Sequence, residues 1–119
     1  MLPKRLKISK SASDTLRVLK GRTGLTPNLV CRMALLLSLE EGAGGGSRRI
    51  DEFGSEFNAP TLFGEFGFVF EGLLRQVHGR LDAKDVPLIV ASHIDSGLER
   101  LRKSRSLLEL TQHSGLLAA

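Results

Sequence analysis

The residues best placed to do chemistry in this chain are cations. Met1–Leu39 carries Lys4, Arg5, Lys7, Lys10, Arg17, Lys20, Arg22 and Arg32 against a single Asp14, a formal +7 in a protein whose total is +4. The last 70 residues lean the other way, with seven bases against ten acids. So one-sided a distribution points to a polyanion, a nucleic-acid backbone above all, with affinity that is electrostatic and salt-dependent. Thr26 and Asn28 join this group, because a helix that starts there offers free N–H groups and positive partial charge to a phosphate. The bland reading is a solvated face on a basic protein.

Other reactive side chains fare less well. Cys31 lies in an apolar run, where a lone thiol is a small buried hydrophobe with a raised pKa rather than a sulfur carrier. His78, His93 and His113 have no metal-like spacing with one another or with Cys31, so no metal site is assigned. His93 and Asp95 are two apart, and on a helix they face different directions. The chain has no Tyr. The glycines of Gly42–Gly46 do not follow a strand and lack the Gly-Lys-Ser/Thr ending of a phosphate loop, so the run reads as a linker. No catalytic residue and no cofactor is assigned.

These cations need elements to hold them. Arg5-Leu-Lys-Ile-Ser9 alternates with period two, a strand with Leu6 and Ile8 inward and Arg5 and Lys7 outward. Ser11 and Asp14 predict a helix from about Ala12, with Leu16 and Leu19 inside and Gly21 ending it. Thr26-Pro27 predicts a second helix over 27–41, apolar nearly all round, which must be covered by the C-terminal half, another subunit, or both; we expect both. Residues 42–60 read as a glycine-rich connector. Leu62, Phe66, Val69, Leu73 and Val77 then predict an amphipathic helix from Thr61 to His78-Gly79. A last helix opens at Asp85-Val-Pro87, with Leu88, Ala91, Ile94, Leu98, Leu101 and Leu108 as its stripe and a second basic cluster at Arg100, Arg102, Lys103 and Arg105.

The expectation is thus a mainly α single domain, 1–119, made of a basic strand-helix-helix module (1–41), the connector (42–60) and C-terminal helices (61–113). With one cysteine, no export segment and no apolar run near the ~20 residues that cross a bilayer, the expected address is the cytoplasm, with no membrane partner.

Strand, helix, turn and helix in that order resemble the ribbon-helix-helix DNA-binding module, in which two chains pair their strands. The literal sequence is similar to another family. Leu2-Pro-Lys-Arg-Leu-Lys-Ile-Ser9, Leu19-Lys-Gly-Arg-Thr-Gly-Leu-Thr-Pro-Asn28, Arg32-Met-Ala-Leu-Leu-Leu-Ser-Leu-Glu40 and Leu74-Arg-Gln-Val-His78 look like the DNA sulfur-modification proteins of the DndE type. That resemblance implies a small, mostly helical oligomer, a homotetramer. It implies an accessory protein that binds duplex DNA, favours nicks, and works beside the sulfur-modification enzymes of bacterial phosphorothioation. Lys4, Arg5, Lys7, Lys20 and Arg22 fall in the matching segments; Lys10 and Arg17 join on charge alone. The rival expectations are an enzyme that nicks DNA in the same pathway and a protein-protein adaptor without DNA contact.

Overall fold

A computed structural model describes residues 2–103. Strand β1, Arg5–Lys7, alternates exposed, buried, exposed, so Leu6 reaches the core while both cations face outward, as the period of two requires. Its partner is β2, Glu56–Asn58, antiparallel, with Leu6 opposite Phe57. The pairing extends past both strands: Ile8 N–H donates to the Ser55 carbonyl (3.1 Å), Gly54 N–H to the Ile8 carbonyl (2.9 Å) and Ala59 N–H to the Lys4 carbonyl (2.9 Å). The strand read as half of an intermolecular ribbon therefore finds its partner in its own chain. That partner lies in the stretch taken for connector.

Helix α1 spans Lys10–Thr23 and is capped by Ser9, two residues before the Ser11 expected. Ser9 Oγ accepts from Ala12 N–H (2.9 Å) and donates to Asp95 (2.5 Å), while Asp51 accepts from the backbone N–H groups of Lys10 and Phe53, both at 2.9 Å. Carboxylates from distant segments thus select the start, where the helix dipole favours them. At the other end Gly24, at φ 75°, adopts the left-handed turn and its N–H closes on the Lys20 carbonyl, so the helix runs past Gly21. Helix α2, Pro27–Glu40, starts as expected, with Thr26 Oγ1 accepting from Leu29 N–H.

The single helix expected from Thr61 is two: α3, Ala59–Phe63, and α4, Gly67–His78, joined by a 3-10 turn over Gly64–Phe66. Gly64 takes φ 54°, and Arg32 fastens the break by donating from Nε to the Leu62 carbonyl (2.5 Å) and from Nη2 to the Thr61 carbonyl (3.2 Å). The break changes which residues face inward. Phe63, Phe70 and Leu74 are buried, the two rings 5.2 Å apart, whereas Phe66 and Val69 of the expected stripe are exposed.

Helix α5, Val86–Lys103, crosses α2 so closely that a Cβ on Gly97 would run into the Ala34 backbone. Its inner face is Val90, Ala91, Ile94, Leu98 and Leu101; Leu88 is half exposed, and Leu108 and Arg105 lie outside the described residues. With α1, α3 and α4, this helix covers most of α2 from within the chain, and Leu36 stays exposed.

The glycine run is folded down rather than loose. Ala43–Ser47 forms a 3-10 turn against α5: the Gly45 carbonyl lies 2.5 Å from Ser92 Oγ and 3.3 Å from Ser96 Oγ. Gly46 sits where a Cβ would meet the rings of both His78 and His93. Arg48 clamps the segment's end by pairing with Asp95 (3.0 Å) and Glu99. Among the described residues no helix is long and apolar enough to cross a membrane.

Candidate nucleic-acid interface

All seven cations of the predicted interface, Lys4, Arg5, Lys7, Lys10, Arg17, Lys20 and Arg22, are exposed. Two have weak acidic partners at the surface, Arg5 with Glu56 (3.9 Å) and Arg17 with Asp14 (3.3 Å), pairs that hold little energy in water. Lys10 acts electrostatically on Asp51, whose carboxyl is held below its usual range by the N–H groups of Phe53 and Lys10 and, last, by that charge. Lys4, Lys7, Lys20 and Arg22 have no acidic partner among the described residues. Arg32 differs from the rest: it is turned inward as the clasp of α3 and lies 5.8 Å from the Phe66 ring.

Helical geometry separates cations that are close in sequence. At 100° per residue, Lys20 and Arg22 point about 160° apart on α1. Arg22 lines a groove of about 570 Å³ with Lys10, Thr15 and Val18, and Arg102 from α5 forms its other wall. Lys20 is not among the residues lining it. Thr26 caps its own helix and Asn28 is half buried beside it, so at this start the Thr26 hydroxyl is already engaged. That Arg102 stands beside α1 could not be read locally, since it depends on the packing of α5.

The remaining reactive groups lie inside. Cys31 is fully buried, and burial pushes its thiol up to about 12, which suppresses thiolate at neutral pH. His93, also fully buried, places Nδ1 2.7 Å from Ser38 Oγ and Nε2 2.7 Å from His78 Nε2. Burial, then the charge of His78, lowers His93 to about 4; burial also lowers His78. A Ser–His contact suggests a nucleophile and base, but Ser38 is 2% exposed and lies beneath Gly45. His93 and Asp95 indeed have separate partners, Asp95 being held by Ser9 and Arg48. Among the described residues no three His, Cys, Asp or Glu side chains group as metal ligands do.

A small helical domain strapped by two short strands, with exposed cations gathered near one end of the sequence, is the fold of a class of DNA-modification proteins. The chain belongs to the DndE family, DNA sulphur modification protein DndE, whose pattern matches residues 5–109. It is similar to the crystal structure of DndE from Escherichia coli B7A, described as involved in DNA phosphorothioation modification. That likeness is 30% identity over 86% of this chain and 99% of the other, with a TM-score of 0.76. A DndE glycine-to-lysine double mutant, also described as involved in DNA phosphorothioation, is 28% identical over 86% of this chain and 100% of the other, at a TM-score of 0.74. Among curated proteins there is no significant match. The family is involved in DNA phosphorothioation modification.

Proposed function

We propose that this protein is a DNA-binding accessory subunit of phosphorothioate modification that performs no catalysis itself. It neutralises backbone phosphates with the cations of its first quarter, holds the duplex with a preference for nicks, and presents it to the enzymes that carry out the sulfur chemistry. The observation that carries this reading is the set Lys4, Lys7, Lys20 and Arg22, exposed and without acidic partners among the described residues, in a segment of formal charge +7. An exposed cation that no carboxylate neutralises is free to replace a counterion on DNA. The preference for nicks and the tetramer come from the family resemblance. Self-association has support at the start of α4, where Phe68 is 89% exposed and Val69, with Phe66 of the preceding turn, is also bared.

The test is duplex affinity against salt for the wild type and for Lys20→Ala with Arg22→Ala. The wild type should bind tightly at low salt with a steep slope of log K against log salt. The double substitution should flatten that slope by roughly 2, near 0.9 per phosphate contact. An unchanged slope would remove these two residues from the interface. An adaptor without DNA contact would show no retention even at low salt.

A further inference from the structure

We propose that Arg102, from the last turn of α5, completes with Lys10 and Arg22 a groove that receives the phosphodiester backbone of duplex DNA. This rests on the DNA-binding reading above and extends it to a residue outside the basic N-terminal segment.

The second basic cluster divides according to its partners. Arg100 is engaged between helices: its Nη1 pairs with Glu41 (2.6 Å) and lies 3.4 Å from the Leu37 carbonyl on α2. Lys103 pairs with Glu99 one turn back (3.1 Å). Arg102 is exposed, has no acidic partner among the described residues, and forms a wall of the groove along α1. It also borders a smaller cleft with Ser11 and Thr15, which sets it level with the first turns of α1.

The carboxylates in this groove are already engaged. Asp51 accepts two backbone N–H groups and Asp14 faces Arg17. Lys10, Arg22 and Arg102 outnumber Asp14 and Asp51 three to two, which leaves the groove net positive, and two of the three are guanidinium forks that suit phosphate oxygens. Their spread decides between a compact anion and a polymer. Lys10 and Arg22 are twelve residues apart on α1, about 18 Å at 1.5 Å per residue, with Arg102 toward the Lys10 end. A single phosphate cannot touch both ends. A strand with one phosphate every ~3.4 Å along its axis can.

The experiment measures binding of the full chain to a labelled duplex across a salt series, for wild type, Arg102→Ala, Arg102→Lys and Arg100→Ala, each checked for folding by its thermal melt. Arg102→Ala should weaken binding and reduce the salt slope by about 0.9, and Arg102→Lys should restore the slope. Arg100→Ala should lower the melting temperature and leave the slope alone. A wild type that binds steeply beside an Arg102→Ala protein of equal slope and affinity would overturn this inference while the DNA-binding reading stands. A wild type with no retention at low salt would bring down both. Retention on polyglutamate rather than DNA, lost in Arg102→Ala, would overturn the inference in favour of an acidic protein partner.

Discussion

Acidifying the protein from about pH 7 to about pH 5 should weaken it before its carboxylates titrate, and the cause is His93. This ring is fully buried, with both nitrogens in contact: Ser38 Oγ at Nδ1 and His78 Nε2 at Nε2, each at 2.7 Å. A single proton between the two Nε2 atoms satisfies both neutral rings; a second proton has no place there. The unfolded chain binds a proton at the ordinary 6.5, the folded chain at about 4. Because the folded value is depressed, the unfolded state takes up more protons below 6.5, and stability falls with pH until the folded ring itself protonates near 4. Integrating proton uptake over that window gives a loss of about 2 kcal/mol by pH 5 and about 3 kcal/mol by pH 4, to which His78 adds in the same direction. Asp51 and Glu99, whose carboxyls are held low by backbone N–H groups and by Arg48 and Lys103 respectively, add their losses at lower pH. Urea unfolding at fixed protein concentration, at the two pH values, for wild type and His93→Gln, measures the effect. The wild type should lose about 2 kcal/mol and the variant much less. Equal losses in both proteins would refute the assignment to His93.

Two substitutions probe the joints that position the interface. Gly97→Ala puts a methyl into the Ala34 backbone at the α2–α5 crossing and should cost at least about 1–3 kcal/mol, read as a lower denaturation midpoint; an unchanged midpoint would mean the helices are not in such contact. Ser9→Ala removes both the α1 cap and the hydrogen bond to Asp95, and should cost about 2 kcal/mol in the same assay, with a loss below ~0.5 kcal/mol counting against this cap.

What could be read from the sequence was what neighbours in the chain decide. Thr26-Pro27 starts α2 because a cap and a proline act within one turn, and Gly79, with its N–H on the Arg75 carbonyl, ends α4 where expected. Leu6 and the flanking cations sort by the pleat alone. The errors arise where a distant group decides. Ser9 prevails over Ser11 because Asp95 and Asp51 wait at that end of α1. The Gly64 break is held by Arg32, which counts toward the N-terminal charge but donates to the Leu62 and Thr61 carbonyls. Glu56–Asn58 could not be singled out as the partner of β1, since a strand of three residues carries little periodic signal. The glycine run looks loose by composition, yet its missing side chains are what let the backbone settle onto Ser38, His78 and His93. Of the candidate interface, the N-terminal cations were legible by type. Their division between two flanks of α1, and the arrival of Arg102 at one of them, depend on helix packing.

One gel tests the proposal that this protein engages DNA without cutting it. Purified protein is incubated with covalently closed circular duplex at low salt, and the DNA is examined before and after the protein is stripped away. The expected result is a retarded complex that disappears as salt rises and yields DNA still closed. No retardation, or closed circles converted to nicked ones by a highly purified sample, would contradict it.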